Sequence, residues 1–198
     1  MKILIIGASG TIGKKVTKEL SKRHKIITAG RNSGKVRVDI ESSESILNMF
    51  NKTGKIDACI VAAGGAYYGD FQTLTEENIY KGIRSKLMGQ VNVILIGQKF
   101  LNDNGSFTIT TGILSEDPVK NYAAISLVNG ALNSFVLAAA RELKRGIRIN
   151  AVCPGLVEDS AKDSFKFPGH TLVPMNKVVN AYVKSVEGIG TGEIIRIY

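Results

Sequence analysis

The sequence is poor in the residues that most often bind metals in proteins. It has two cysteines and two histidines among 198 residues, and prolines, at four, are also few. Cys59 and Cys153 stand in apolar, strand-like surroundings, so we expect both to be buried, reduced thiols. His24 and His170 are far apart and have no visible partners. No pair of these residues has metal-ligand spacing, and no metal site is predicted.

Long apolar runs are also missing. The first run, Lys2 to Ile6, meets a glycine too soon to be the apolar region of a signal peptide, and a cytoplasmic protein is expected. The stretch from Asn121 to Ala140 is uncharged, but its asparagines and serines predict a helix buried on nearly all sides rather than a membrane span. A length of 198 residues without a linker predicts a single domain over residues 1–198.

Acidic residues are outnumbered by basic ones. Asp and Glu total 17, Lys and Arg total 26, and the net charge is +9. Such a charge can attract nucleic acids or anionic membranes. The basic residues are scattered, however, and the densest group, from Lys14 to Lys25, fits the solvated face of one amphipathic helix. Neither nucleic-acid binding nor membrane binding is predicted.

Buried strand-like runs and helix-like periodicities alternate along the chain. The predicted strands are residues 2–6, 25–29, 35–38, 56–62, 106–110, 147–152 and 192–197. The predicted helices are residues 11–23, 43–51, 75–101, 122–144 and 176–186. The third of these helices is inferred from apolar residues at intervals of four, from Ile79 to Leu95. Such alternation is typical of a doubly wound α/β domain, Rossmann-like, with helices on both faces of a parallel sheet.

The first predicted strand runs into a glycine-rich turn that opens a helix, Gly7-Ala8-Ser9-Gly10-Thr11-Ile12-Gly13. Gly7 permits the tight turn, Gly10 lets the backbone approach a pyrophosphate, and Gly13 lets the helix pack on the strand. The helix N-terminus adds free N–H groups and a positive dipole end. We therefore expect this turn to bind a nicotinamide dinucleotide, the alternative being a tight connection that binds nothing. The expected contacts are Gly7, Ser9, Gly10, Thr11, Ile12 and Gly13.

The second predicted strand is followed by Arg31-Asn32-Ser33. An acidic residue at this position would bind the 2′-hydroxyl of NAD, whereas an arginine suits the 2′-phosphate of NADP. Arg31, with Asn32 and Ser33 as further donors, therefore indicates NADP rather than NAD. The alternative is an arginine in a solvated turn.

Several later segments resemble the short-chain dehydrogenase/reductase family. Val38-Asp39-Ile40 looks like the strand end that lies against adenine, and Val61 to Gly64 is similar to the Asn-Asn-Ala-Gly run. Gly146 to Gly155 resembles the Gly-Ile-Arg-Val-Asn-x-Val-x-Pro-Gly segment. The resemblance covers nearly the whole chain and implies about seven strands, nicotinamide near Pro154, and a homodimer or homotetramer built on the two long helices. The cofactor contacts that it implies are Asp39, Ile40, Ala62, Ala63, Gly64, Pro154 and Gly155.

The hydride-transfer residues of the family are Asn, Ser, Tyr and Lys. The same resemblance places Lys86, Thr111, Ile125 and Asn129 at those positions, and isoleucine cannot donate a proton. Tyr122 lies about one helical turn before Ile125, and Lys86 can polarise a carbonyl or lower the pKa of a tyrosine. We therefore expect Lys86, Thr111 and Tyr122 to be the catalytic residues. The alternative is that Tyr122 only packs and Lys86 contacts ribose or solvent.

The segment from Leu156 to Pro174 is short for the substrate lid that the resemblance implies, which predicts a small substrate or none. The favoured hypothesis is an NADP-dependent oxidoreductase that acts on a small carbonyl or alcohol through non-standard residues. The alternative is a catalytically weak or inactive cofactor-binding protein that acts as a sensor or interaction partner.

Overall fold

The computed structural model describes residues 1–198 and contains one parallel sheet of seven strands. The strands are β1 (Lys2–Ile6), β2 (Lys25–Gly30), β3 (Val36–Arg37), β4 (Ile56–Val61), β5 (Leu101–Thr110), β6 (Arg148–Pro154) and β7 (Ile194–Ile197). Their order across the sheet is β3-β2-β1-β4-β5-β6-β7. The direction of winding reverses between β1 and β4, and ligands bind at such a switch point, outside the carboxyl ends of the strands. The predicted Rossmann-like sheet is confirmed.

Helices cover both faces of the sheet. They are α1 (Thr11–Leu20), α2 (Ser43–Thr53), α3 (Glu76–Gly82), α4 (Gly89–Gly97), α5 (Ala123–Glu142) and α6 (Met175–Glu187). Short 3-10 turns span Phe71–Thr73, Ile113–Ser115 and Glu158–Lys166. Because side chains alternate along a strand, Leu4 and Ile6 join the core under α2, α4 and α5, while Ile3 and Ile5 join the core under α1 and α6.

The predicted helix over residues 75–101 is wrong as a single element. The chain instead forms α3, a π-helical turn over Ile83–Met88, and α4, which ends at Gly97. Apolar residues spaced by four drift around an α-helix by roughly 40° per step, because the helix repeats every 3.6 residues. The drift is visible at Leu95, which is 49% exposed although it continues the series, while Val93 and Ile94 are buried.

Strand β5 begins at Leu101, earlier than the predicted start at residue 106. Leu101 pairs with Ile56, and the next pair along the strands is Ser106 with Ala58, so residues 102–104 bulge outward between them. The remaining differences are at element ends. Helix α1 stops at Leu20 rather than 23, β3 covers only Val36–Arg37, α5 spans 123–142 rather than 122–144, and β7 begins at Ile194 rather than 192.

Helix α5 is the one helix long and apolar enough to cross a membrane by length and composition. Its Leu132 and Val136 pack into the core beneath the sheet, together with strand residues, so it is an integral layer of the domain. The expectation that it is buried on nearly all sides is wrong. Leu127 and Leu137 are 47% and 53% exposed, because the sheet covers one flank of the helix and leaves the other open.

Candidate active site

The glycine turn between β1 and α1 is sterically closed at its two ends and open in the middle. A Cβ on Gly7 would lie 2.3 Å from the carbonyl oxygen of Ala62, and Gly7 adopts a φ of 84°. A Cβ on Gly13 would lie 2.1 Å from the carbonyl oxygen of Gly7. A Cβ on Gly10 would meet only that same oxygen, at 3.4 Å. Gly7 and Gly13 therefore serve packing, while Gly10 leaves the backbone accessible to a ligand.

The N-terminus of α1 is electrostatically suited to an anion. No side chain caps it, and its first turn contains no acidic residue. The first N–H groups of a helix have no acceptors within the helix, and the dipole adds partial positive charge at the same end. Ser33 and Ser9 lie against each other through their hydroxyl groups at 2.8 Å, which ties the glycine turn to the loop after β2. This arrangement fits a pyrophosphate.

A cleft of about 370 Å³ lies beside the turn, at the carboxyl ends of β1 and β2. It is lined by half of the predicted cofactor residues, namely Gly7, Ser9, Arg31, Asn32, Ser33, Ile40, Ala63 and Gly64. The other predicted cofactor residues are not among its walls, namely Gly10, Thr11, Ile12, Gly13, Asp39, Ala62, Pro154 and Gly155. Lining residues that were not predicted from the sequence are Ile6, Gly30, Val38, Gly65 and Ser85. No motif in the sequence indicates Ser85. This residue reaches the cleft because the π turn lies beside Gly65, and the Ser85 hydroxyl accepts a hydrogen bond from the Gly65 N–H at 3.3 Å.

Arg31 projects from the end of β2 between two carboxylates. One of its terminal nitrogens donates to Asp39 Oδ1 at 2.8 Å and to Glu41 Oε1 at 3.0 Å. The Arg31 guanidinium holds the pKa of Asp39 below its usual range, so this carboxylate is ionised. Arg31 is an exposed cation at the mouth of the cleft, and it is paired with two carboxylates.

Two buried polar atoms at the carboxyl end of β5 have no hydrogen-bond partner. They are Thr111 Oγ1 and Asn129 Oδ1, on residues that are 4% and 2% exposed. Asn129 Nδ2 donates to the carbonyl oxygen of Gly112 at 3.4 Å. The Cys153 thiol lies near Thr111, and burial raises its pKa, so it stays protonated. Buried polar atoms without partners are rare in proteins and point to a ligand-binding or catalytic surface.

Lys86 approaches this end of the sheet from the π turn. Such turns are frequent at functional sites. The loop after β4 packs tightly against it, since a Cβ on Gly64 would lie 2.8 Å from Lys86 Cα. Burial lowers the pKa of Lys86 to about 8, an effect that the nearby Cys153 opposes. No carboxylate compensates this amine, which is mostly protonated at neutral pH and gives up its proton more readily than an ordinary lysine.

Tyr122 is not placed with Lys86 and Thr111. Its ring stacks on Tyr68 with centroids 5.5 Å apart and contacts Phe167 at 5.3 Å. Burial raises the pKa of Tyr122, and the cation that opposes this shift is Lys166 rather than Lys86. Its hydroxyl is thus neutral, and the cation that favours its ionised form, Lys166, lies outside the predicted catalytic set. Of the three predicted catalytic residues, the structure puts Lys86 and Thr111 near Cys153 and places Tyr122 in an aromatic cluster.

Pro154 is the last residue of β6, and Gly155 follows it beside the C-terminal strand β7. The Gly155 N–H donates to the carbonyl oxygen of Ile197 at 2.8 Å, and a Cβ on Gly155 would lie 3.0 Å from Val173 Cγ2. A second cleft, of about 630 Å³, opens along Thr171 to Pro174 and the end of β7. The short lid segment therefore leaves space at this edge, next to the position predicted for nicotinamide.

The scarce residues behave largely as expected. Cys59 and Cys153 are free and buried, which confirms that prediction. The prediction that the histidines lack partners is wrong. His24 Nε2 lies 2.9 Å from Glu187, and His170 packs edge-on against Phe167 with centroids 5.7 Å apart. Partners distant in the sequence were invisible before the chain was folded.

Comparison with known proteins identifies the family. A family model described as enoyl-(acyl carrier protein) reductase matches residues 7–181. Together with the geometry of the glycine turn and the switch-point cleft, this match shows that the chain belongs to the short-chain dehydrogenase/reductase family.

Similar proteins include structures and curated sequences. The protein lin1944 from Listeria innocua is 48% identical, each chain covers 100% of the other, and the TM-score is 0.98. A small-chain dehydrogenase solved in complex with NADPH is 25% identical, with 99% of this chain and 95% of that chain covered and a TM-score of 0.87. The uncharacterized oxidoreductase YmfI of Bacillus subtilis (strain 168) is 27% identical over 189 residues, covering 82% of this chain and 77% of the relative.

Proposed function

We propose that the protein is an NADP-dependent oxidoreductase that acts on a small carbonyl or alcohol through non-standard residues. The observation that carries this proposal is the cleft at the switch point, where Arg31, Asn32 and Ser33 supply donors for a 2′-phosphate beside an anion-binding turn. The similarity to a dehydrogenase solved with NADPH supports the choice of cofactor.

The residues present fit the adenosine and pyrophosphate parts of the dinucleotide. The N-terminus of α1 and the open backbone at Gly10, beside the cleft, would hold the pyrophosphate, and Ile40 lines the cleft where it can contact the adenine. Ala63 and Gly64 line the cleft after β4, and Thr111, with its buried Oγ1, follows the neighbouring strand β5 and lies outside the cleft walls. NADPH, when bound, supplies the hydride that reduces a carbonyl carbon.

Lys86 and Thr111 then stabilise the negative charge that develops on the carbonyl oxygen of the substrate. The Thr111 hydroxyl, which lies against the Cys153 thiol, donates a hydrogen bond to this oxygen. The Lys86 ammonium transfers a proton from Nζ to the same oxygen as negative charge develops there, and solvent reprotonates the amine. A pKa near 8 suits this role, because the group is protonated at neutral pH and is a stronger acid than an ordinary lysine. Tyr122 contributes an aromatic wall rather than a proton.

The proposal extends to assembly and compartment. Exposed leucines on the outer flanks of α4 and α5, Leu95, Leu127 and Leu137, support a homodimer or homotetramer that buries these helices. The free, buried thiols of Cys59 and Cys153 are consistent with a reducing compartment, the cytoplasm.

The test combines binding with turnover. Titrations followed by cofactor fluorescence give dissociation constants for NADPH and NADH, and oxidation of NADPH is then followed with a panel of small aldehydes, ketones and quinones. We expect tighter binding of NADPH and turnover of at least one carbonyl compound. Tighter NADH binding would contradict the cofactor assignment. NADPH binding without turnover across the panel would favour the sensor alternative, for which the observation is Ile125 packed beside the loop after β5.

A further inference from the structure

The contacts of Arg31 separate its two acidic partners into an anchored one and a free one. Asp39 is held on several sides. Its N–H donates to Ser45 Oγ at 2.9 Å, and its Oδ1 accepts from the Glu41 N–H at 3.1 Å as well as from Arg31. The Glu41 carboxylate has one polar partner, which is Arg31, at 3.0 Å. Glu41 can therefore leave the guanidinium by a side-chain rotation, whereas Asp39 is held by the backbone around it.

The charge at this point is unfavourable for a phosphate. One guanidinium carries +1 and two carboxylates carry −2, so the three groups sum to −1. A phosphate monoester brings roughly −1.5 to −2 more at neutral pH. A 2′-phosphate must therefore share Arg31 with Asp39 and replace Glu41, while a cofactor with a free 2′-hydroxyl needs no such exchange.

We propose that Glu41 is a specificity-determining residue that competes with the 2′-phosphate of NADP for Arg31. This inference rests on the proposed function, because it concerns how that cofactor is selected. The Glu41 carboxylate lowers the affinity for NADP and leaves the affinity for NAD unchanged. It therefore reduces the preference for NADP over NAD that Arg31 creates. It acts on cofactor choice and takes no part in the chemistry.

The test is Glu41→Gln, with Glu44→Gln as the matched control. Glu44 is exposed in the first turn of α2 and has no contact with Arg31, so the control removes the same charge nearby without freeing the guanidinium. Dissociation constants for NADPH and NADH are measured by fluorescence titration of both variants and the wild type at one fixed ionic strength. Circular dichroism checks that all three are folded.

We expect Glu41→Gln to bind NADPH about two- to fivefold more tightly, the range that the loss of one exposed ion pair allows. NADH binding stays unchanged, and Glu44→Gln alters neither constant. In an Arg31→Met background the gain from Glu41→Gln disappears, because there is no guanidinium to compete for.

The outcomes separate this inference from the proposed function. If the wild type prefers NADPH but Glu41→Gln leaves its affinity unchanged, or tightens NADPH and NADH alike, the competition is overturned and the cofactor assignment stands. A gain that persists in the Arg31→Met background also overturns it, because the effect is then one of general charge. If the wild type does not prefer NADPH, the proposed function itself fails and the competition fails with it.

Discussion

Individual residues set the steric limits of the glycine turn. Gly13 is the most constrained of them, because a Cβ there would lie 2.1 Å from the Gly7 carbonyl oxygen. Backbone atoms cannot move away as a flexible side chain can, so strand and helix would have to separate. Gly130, in the middle of α5, has no atom within 4 Å of the same hypothetical Cβ. The two positions form a matched pair for one substitution.

Gly13→Ala should destabilise the protein by about 1–3 kcal/mol, as overpacking does, and should weaken NADPH binding because the turn is displaced. Gly130→Ala should stabilise it by about 0.5–1 kcal/mol, because alanine favours a helix interior. Urea denaturation gives the free energy of unfolding for each variant, and fluorescence titration gives the affinity. Equal stability of Gly13→Ala and the wild type would show that the turn is looser than described.

The proposed role of Lys86 predicts that the reduction rate depends on pH. Because its pKa is near 8 and the protonated form is the active one, the reduction rate should fall as pH rises through about 8. Lys86→Met should lose about 10²–10⁴-fold in turnover and show no such pH dependence. The free energy of unfolding should be equal or higher, because a charged amine has been removed from a half-buried, desolvated position.

Lys52→Met is the control for this experiment, since Lys52 is exposed on α2 and lines neither cleft. Rates are followed by NADPH oxidation with the best carbonyl compound from the panel, between pH 6 and pH 10, roughly the span around the Lys86 and ordinary lysine pKa values. A Lys86→Met variant with wild-type turnover would remove Lys86 from the mechanism.

At the scale of elements, the sheet and α6 are joined by a buried polar contact. The Tyr182 hydroxyl on α6 lies 2.6 Å from Thr110 Oγ1 on β5, and Thr110 in turn donates to the carbonyl oxygen of Val61 at 2.7 Å. Tyr182 is fully buried, and burial raises the pKa of its hydroxyl, so it donates as a neutral group. The pair fixes the height of α6 relative to the carboxyl ends of β4 and β5.

Tyr182→Phe should lower the free energy of unfolding by about 0.5–1.5 kcal/mol, the net contribution of one such hydrogen bond. Tyr80→Phe is the comparison, because Tyr80 is 43% exposed and its ring contact with Arg84 does not need the hydroxyl. Both variants are compared by urea denaturation. If both substitutions lower the free energy of unfolding by the same amount, the buried hydrogen bond has no special role in positioning α6.

At the scale of the whole molecule, the exposed leucines of α4 and α5 lie on the same face of the sheet. Leu127→Glu combined with Leu137→Glu should give monomers in light scattering coupled to size exclusion, because a glutamate in an apolar interface is costly to bury. Leu47→Glu, on α2 and 44% exposed, should leave the assembly intact. Equal masses for both variants and the wild type would place the interface elsewhere.

Much of the cofactor half could be predicted from the sequence, because its determinants are local. The β1 run, the glycine spacing and Arg31 fall within 31 residues, and each acts through its own backbone or through a neighbour in the chain. The catalytic half was harder to predict. Helical spacing put Tyr122 about one turn before Ile125, within the predicted site, but its ring turns toward Tyr68 and Phe167, which come from other loops.

The sequence by itself determined the strand-helix alternation and the glycine turn that opens α1, because these depend on residue types and short spacings. The assignment of Ile125 to the position of the general acid depended on the family resemblance instead. Only the tertiary structure decided which groups meet. It brought Glu41 to Arg31, set Lys86 in a π turn at the carboxyl end of the sheet and left Leu95 on the surface. The physical reason is that burial and charge pairing depend on neighbours contributed by distant segments, and only folding brings those segments into contact.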